Sequence, residues 1–235
     1  MHVLVTGSSG AVGRQVCREL SRQGDTVRGF DCERHDEPLE LYLGDIAEPA
    51  HLAPAMSGID AVIHLAANPH DAPFPELVAP NVMGVYNVLE AARAAGVKRV
   101  VLASSVQAAG GHKERRLSAE HRAPNNHYAV TKVLAEEMGA LYARRFGLDV
   151  ISARVGWMVR NASEAARMRE LRLFHIYVSG ADAAHFFHAA VHAEFHGYAT
   201  LWAIGRDGRE RYDLESAERV IGYRPQHAWP EGAPA

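Results

Sequence analysis

The sequence predicts an α/β fold, a doubly wound parallel sheet with helices on both faces. Three observations predict it. Short β-branched runs alternate with segments of helical periodicity from residue 3 to residue 155. A glycine-rich turn joins the first strand to the first helix. The 235 residues suffice for one sizeable core and fall short of two.

Val3–Val5 reads as the first strand, and Ala11–Gln23 as a helix with Val12, Val16 and Leu20 at helical spacing before Gly24 stops it. Thr26–Phe30, ending at Asp31, is the second strand; Leu39–Leu43, ending at Gly44 and Asp45, is the third; Ala61–Leu65 is the fourth. A long helix over Leu77–Ala95, a strand over Arg99–Ala103, a second long helix over His127–Phe146 and a strand over Val150–Val155 complete the alternation. Strands so arranged form a parallel sheet covered on both faces. Beyond Gly156 the pattern loosens into a polar stretch from Arg160 to Arg172, a helix near Ala181–Phe195, a short strand near Thr200–Ile204 and a proline-containing tail. The expected organisation is a single domain, with 1–156 as its core and 157–235 mostly covering the substrate.

Composition narrows the function. Nearly half the residues are hydrophobic (48%) and 23% are charged, the balance of a soluble globular protein. The formal net charge of −3, without a basic block, gives nucleic acid or an anionic membrane no electrostatic footing. A small molecule is the expected partner. Cys17 and Cys32 lack metal-ligand spacing and read as reduced thiols. Val3–Val5 runs at once into Thr6 and Gly7, far short of a signal-peptide core, and no run approaches a membrane span, so a cytoplasmic location is expected.

Gly7, Gly10 and Gly13 form Gly-x-x-Gly-x-x-Gly after the first strand and at the start of the first helix, where backbone amides and the helix dipole receive a pyrophosphate. This is the dinucleotide-binding turn of a Rossmann-type sheet. Asp31 follows Gly13 by 18 residues, where a carboxylate accepts both adenosine ribose hydroxyls and repels a 2′-phosphate; NAD is therefore expected over NADP. Arg34 nearby is the one residue that argues the other way.

Tyr128 and Lys132, four residues apart in the predicted helix, share one face. A free tyrosine titrates near ~10, so it serves as a base only where positive charge stabilises its phenolate. Lys132 and an oxidised nicotinamide would supply that charge. Ser104 and Ser105 end the fifth strand, at the sheet edge where open α/β sheets bind ligands.

Taken in order, Thr6-Gly-Ser-Ser-Gly-Ala-Val-Gly13, Gly44-Asp-Ile46, His64-Leu-Ala-Ala67, Asn81 with Gly84 and Asn87, Ser104-Ser105, Tyr128-x-x-x-Lys132 and Gly222-Tyr-Arg-Pro225 resemble an extended short-chain dehydrogenase/reductase of the NAD-dependent epimerase/dehydratase family. The resemblance spans nearly the whole chain. It implies that Tyr128 is the base, that Lys132 holds the nicotinamide ribose and lowers the tyrosine pKa, and that Ser105 hydrogen-bonds the reacting hydroxyl. It implies a cofactor site of Gly7, Ser9, Gly10, Ala11 and Val12 in the turn, Asp31 and Cys32 after the second strand, and Asp45 and Ile46 beside the adenine. Leu65, Ala66, Ala67, Asn81 and Val155 join that site, as do Tyr128 and Lys132.

Several passages are similar to compact uronate dehydrogenases, which oxidise a hexuronic acid at its anomeric carbon: Ala103-Ser-Ser105, Tyr142–Gly147, Arg154-Val-Gly156 and the run from Arg172 to Asp182. That likeness makes Ser105, Val106, Tyr128, Trp157 and Arg172 the substrate residues, with Arg172 clamping a carboxylate. Val106, Trp157 and Pro69 depart from it by replacing polar contacts, which favours a less polar or differently shaped substrate. The resulting function is NAD-dependent oxidation of a hydroxyl on a small sugar-like molecule, a uronic acid among the candidates. An epimerase or dehydratase with retained NAD and a non-catalytic NAD-binding regulator stay open beside it.

His185, His188 and His192, with His196 beyond, lie at helical spacing, but no carboxylate or cysteine joins them in a sequence signature, and no metal is assigned. Apolar residues on more than one face of the two long helices, among them Val85, Val88, Leu89, Leu134, Met138 and Leu141, fit the homodimer that the resemblance implies.

Overall fold

A computed structural model describes every residue except 36, 38 and 235. The strands β1 (His2–Thr6), β2 (Thr26–Asp31), β3 (Glu40–Leu43), β4 (Ala61–His64), β5 (Arg99–Ser105), β6 (Asp149–Val155) and β7 (Tyr198–Ala203) form one sheet in the order β3-β2-β1-β4-β5-β6-β7. All its pairings are parallel. The chain winds outward from β1 to β3, then crosses back to β4 on the other side, so the carboxyl ends of β1 and β4 diverge into a crevice.

Helices cover both faces. Helix α1 (Ala11–Arg22) turns Val16, Cys17 and Leu20 into one core layer, where they meet Phe186, Phe187 and Val191 of a later helix over Val5, Ile63, Val101 and Ile151. Burying Val16 and Leu20 contributes about 2 kcal/mol each. On the opposite face, α2 (Pro49–Ala55), α4 (Gly84–Ala94) and α5 (His127–Phe146) enclose Leu52, Val88, Leu89 and Tyr142 over Leu4, Val62, Val100 and Val150. Met83, Tyr86, Leu134 and Leu141 remain large apolar side chains exposed to solvent.

The helix expected over Leu77–Ala95 is broken into α3 (Phe74–Leu77), a π-helical stretch over Val78–Met83, and α4. Pro80 lies inside that stretch; it has no amide hydrogen and its ring crowds the preceding turn, so the ladder widens around it. Three helices were hidden from periodicity. Helix α2 is short and carries Pro54, whereas α6 (Ala162–Leu171) lies in the stretch that reads as polar, capped by Asn161, whose Oδ1 accepts from the Glu164 amide at 2.9 Å. The third, α8 (Leu214–Ile221), is capped by Asp213.

Helix α7 (Gly180–His192) ends three residues before the expected Phe195, and Arg99 explains the stop. Its buried guanidinium donates to the carbonyls of Ala190 (3.2 Å), Ala193 (2.7 Å) and Phe195 (2.5 Å), drawing the chain out of helical geometry and onto the first residue of β5. The chain then enters β7, which extends the sheet next to β6. Replacing Arg99 with Met should strand these carbonyls and cost about 3 kcal/mol. Urea unfolding measures that loss, and steady-state turnover at saturating substrate should stay at the wild-type level because Arg99 lies at the sheet edge opposite the crevice.

Candidate active site

The carboxyl ends of the strands open into a cleft of about 1490 Å³. That exceeds the roughly 300–1,000 Å³ of a pocket for one drug-sized ligand. A dinucleotide and a second small molecule fit within it.

Backbone geometry builds one half. Gly7 sits at φ +74°, and a Cβ there would lie 2.6 Å from the Ala66 amide nitrogen, so the turn and the loop after β4 touch only because the side chain is missing. At Gly13 a Cβ would lie 2.0 Å from the Gly7 carbonyl oxygen. Helix α1 starts at Gly10 with no side-chain cap and no acidic residue in its first turn, which leaves its leading amides and dipole free for an anion. The Asp31 carboxylate stands beside this turn, Oδ2 accepting from the Ser9 amide (2.9 Å) and Oδ1 from the Glu33 amide (3.1 Å). Cys32 Sγ also donates weakly to Oδ1 (3.6 Å), so of the about four acceptor positions of a carboxylate one stays unused by the protein. Cys32 lines the cleft as well, and Arg34 does not.

The turn Asp45-Ile46-Ala47 is fixed from behind. Asp45 Oδ1 accepts from the Ala47 amide (2.8 Å), and Asn87 Nδ2 donates to the carbonyls of Ile46 and Ala47 (both 3.0 Å). Ile46 can lie flat on α4 because position 84 is glycine; a Cβ there would come within 2.5 Å of Ile46 Cδ1. Leu65, Ala66, Ala67 and Val155 line the cleft as expected, and so do Ser9, Ala11 and Val12.

Asn81 is a correction. It lies behind the wall, 2% exposed, with Oδ1 accepting from the Asn68 amide (2.8 Å) and Nδ2 donating to the Asn68 carbonyl (3.0 Å) and Thr131 Oγ1 (3.2 Å). The widened π turn around Pro80 turns it inward, and Asn68 faces the cleft instead.

At the other half, Ser105, Tyr128 and Lys132 converge. Ser105 ends β5, Tyr128 is the second residue of α5, and both side chains line the cleft, with Ser105 Oγ accepting from the Gln107 amide (3.2 Å). Lys132 Nζ donates to the Ala103 carbonyl (2.9 Å) and lies 5.4 Å from the centre of the Tyr128 ring. Asn126 caps α5 by accepting from the Ala129 amide (2.7 Å), while its Nδ2 donates to Gln107 Oε1 (2.6 Å). The cap, the catalytic tyrosine's helix and the residue two beyond Ser105 therefore form one unit.

Burial dominates the titration of this cluster. It pushes the Tyr128 phenol up to about 12, with the Ser105 hydroxyl pulling the other way. It lowers Lys132 to about 8. Burial, followed by the charge of Lys132, holds His64 at about 3, so its imidazole is neutral, with Nδ1 2.7 Å from Thr6 Oγ1.

Behind the cluster, Glu136 and Arg154 form a fully buried ion pair (2.8 Å), with Ser104 Oγ donating to Glu136 Oε1 (2.6 Å) and Arg154 Nη1 donating to the His121 carbonyl (2.9 Å).

Of the expected substrate residues, Ser105, Val106, Tyr128 and Trp157 line the cleft, as does Pro69. Arg172 does not: it is an exposed residue at φ +52° that ends α6, and the chain there presents Leu171 and Leu173 inward. Cleft-lining residues missed by the sequence reading include Gln107, Asn126, His175, Arg160, Arg167 and Arg211. Asn126 carries a readable signal, an N-cap residue immediately before a helix. Arg211 carries none, because it arrives from the carboxyl-terminal loop, where Leu117 and Tyr212 form an isolated bridge.

Residues 3–215 match the NAD dependent epimerase/dehydratase family. The chain belongs to that family. It is an NAD-dependent dehydrogenase of the short-chain dehydrogenase/reductase superfamily. It is similar to an L-arabinose 1-dehydrogenase (NAD(P)(+)) of Haloferax volcanii, 32% identical over 95% of this chain and 96% of the relative. An NAD-dependent glucose-6-phosphate dehydrogenase of the same organism is 29% identical over 95% of this chain and 92% of the relative. Among solved structures, a mutant uronate dehydrogenase from Agrobacterium tumefaciens complexed with NAD superposes with a TM-score of 0.83 at 25% identity, covering 96% of this chain and 84% of that one. Among the described residues, no helix of this family member is long and apolar enough to cross a membrane.

Two predictions follow from the geometry. Gly13→Ala should weaken NAD binding at least about tenfold, or ~1.4 kcal/mol, because the new methyl must push the Gly7 carbonyl out of the turn; a fluorescence titration with NAD reads the loss. The second concerns Lys132, whose ordinary pKa near ~10.4 applies in the unfolded chain. Between about 8 and ~10.4 the unfolded chain holds a proton that the folded chain has released, so stability rises with pH across that window and the burial penalty is fully present below it. Lys132→Met removes a penalty of about 3 kcal/mol at pH 7 and gives up one hydrogen bond worth about 1 kcal/mol. The cofactor-free variant should therefore resist urea better than wild type at pH 7, with the advantage fading towards pH 10.

Proposed function

We propose that this dehydrogenase oxidises the anomeric hydroxyl of a small free aldose, giving the lactone, with NAD taken up and NADH released. The observation that carries the reading is the convergence of the Ser105 hydroxyl, the Tyr128 phenol and the Lys132 ammonium on one wall of the cleft. The reaction balances as aldose plus NAD+ to lactone, NADH and one proton. NAD+, when held by the residues of this cleft, would supply the hydride acceptor and a positive charge. Ser105 orients the sugar hydroxyl, Tyr128 accepts its proton as the C–H hydride leaves, and Lys132 holds the nicotinamide ribose and adds the charge that favours phenolate.

The glycine turn receives the pyrophosphate, Asp31 the adenosine ribose, and Asp45 with Ile46 flanks the adenine. Asp31 at the turn and the position of Arg34 outside the cleft support NAD over NADP. A neutral aldose is favoured over a uronate. The arginine expected to clamp a carboxylate, Arg172, lies outside the cleft, and Val106, Trp157 and Pro69 stand on its wall; Arg160, Arg167 and Arg211 also line it, Arg160 paired with Glu164 and Arg211 donating to the carbonyls of His112 and Glu114. Gln107, whose Oε1 is held by Asn126, still has its Nε2 to donate to a sugar hydroxyl. The likeness to an arabinose dehydrogenase over nearly the full length of both chains supports the same choice.

The test follows reduced-cofactor absorbance with NAD or NADP and a panel of pentoses, neutral hexoses, glucose 6-phosphate, glucuronate and galacturonate. A neutral aldose with NAD should give the highest kcat/KM, and Tyr128→Phe should lower kcat by roughly 10²–10⁴. Preferred turnover of a uronate or a sugar phosphate would overturn the substrate assignment, and full activity in Tyr128→Phe would overturn the mechanism.

A further inference from the structure

The histidine stripe of α7 divides in three dimensions. His185 packs its ring against Tyr223, with centroids 5.8 Å apart, and His196 pairs with Asp149 (Nδ1 to Oδ2, 3.2 Å). His188 and His192, one turn apart, stack side by side at 4.6 Å and point at the same carboxylate. That carboxylate is Asp25, from the turn that ends α1 and starts β2. Its Oδ2 lies 2.9 Å from His192 Nε2 and 3.9 Å from His188 Nε2, and the three donor atoms all lie within 4.8 Å of one another. Asp25 Oδ1 also accepts from the Met1 ammonium (2.9 Å), and its side chain is 4% exposed.

We propose that Asp25, His188 and His192 form a binding site for a zinc-class divalent metal ion, at the sheet edge opposite the catalytic cleft. The donor set is two imidazole nitrogens and one carboxylate oxygen, which suits Zn²⁺, Co²⁺ or Ni²⁺ and not the all-oxygen preference of Mg²⁺ or Ca²⁺. Bonds of ~2.0–2.1 Å to a tetrahedral ion place neighbouring donors roughly 3.3 Å apart, between the two histidine–carboxylate separations in this structure. An ion therefore needs only small side-chain shifts, with His192 exchanging its hydrogen bond to Asp25 for a bond to the metal. Glu19 is nearby, but Arg22 and Gln23 already occupy its carboxylate, so water completes the coordination.

Such an ion would clamp the last turn of α7 to the α1–β2 turn. Those elements carry core packing and no catalytic group, so the ion acts on stability. This inference is independent of the substrate assigned above.

Isothermal titration of tag-free, metal-stripped full-length protein with ZnCl₂ should show one saturable site per chain. Zn²⁺ should raise the melting temperature, and EDTA should reverse the rise. Co²⁺ should give the intense visible bands of a four-coordinate ion. His188→Ala and His192→Ala should each weaken Zn²⁺ binding at least about tenfold, since even outer partners of metal ligands are worth 10–100-fold. The double variant should lose the site while keeping far-UV circular dichroism and NAD-linked turnover. Asp25→Asn, which preserves the shape, guards against a packing effect and should also weaken binding. Absence of saturable binding to wild type would overturn the proposal. Undiminished binding in the double variant would overturn it too, placing the ion elsewhere, for instance on the exposed Cys32 thiol.

Discussion

The catalytic arrangement depends on one interaction that touches no ligand, the ion pair of Glu136 and Arg154. Both side chains are fully buried, and a carboxylate or guanidinium taken from water without a partner is penalised by several kcal/mol. Each must therefore find the other, and only one arrangement of the surrounding elements allows it. Glu136 is one turn beyond Lys132 on α5, and Arg154 is on β6 with its guanidinium 4.8 Å from the Trp202 ring of β7. Ser104, the neighbour of Ser105 on β5, donates to the same carboxylate. The pair thus sets the height and rotation of α5 over β5, which fixes where Tyr128 meets Ser105. Removing Glu136 alone would leave the buried Arg154 without its carboxylate, a loss of about 3–5 kcal/mol, whereas Glu136 keeps Arg122 at 3.4 Å as a second partner, so this register is defended by a penalty as well as by an attraction.

The same dryness governs the reacting groups. Tyr128, Lys132 and His64 crowd the carboxyl ends of β4 and β5, and burial displaces each toward its neutral form. Burial by itself is a poor setting for a phenolate. The hydrogen bond from Lys132 to the Ala103 carbonyl fixes the ammonium, and low polarisability makes any positive charge brought beside the phenol count for more. The price of the arrangement is carried by the folded chain as a desolvated lysine.

Legibility in the sequence followed chain proximity. The strands, α1, α5 and the glycine turn were readable because each is specified by residues within about one turn or pleat of one another. Tyr128, Lys132 and Ser105 were readable because four-residue spacing on a helix and a position at a strand end imply place. Helix α6 was not, since its caps, Asn161 and Glu164, are polar residues in a polar stretch whose apolar face is only Ala165 and Met168. Asn81 was assigned to the right motif and the wrong side of the wall, because a π turn rotates everything after Pro80 and periodicity assumes an unbroken helix. Arg172 failed for a related reason: its backbone takes the left-handed conformation that ends α6, and that single dihedral turns the side chain outward.

These successes and failures separate the two halves of the cleft. The cofactor half is made of backbone, with glycines whose missing side chains allow contact, a helix start without a cap, and turns held by Asn81 and Asn87 from behind. Backbone sites tolerate little, so their sequence is constrained locally and can be read locally. The substrate half is made of side chains delivered by segments distant in sequence, Gln107 and Asn126 from the region between β5 and α5, Trp157 after β6, His175 beyond α6 and Arg211 before α8. The segments that carry His175 and Arg211 hold no partner of the Glu136–Arg154 pair, whereas the β5–α5 region supplies it with Arg122 and the His121 carbonyl. A family built this way can keep one hydride chemistry and vary the sugar, which is why the fold and cofactor are fixed more tightly by this sequence than the substrate is.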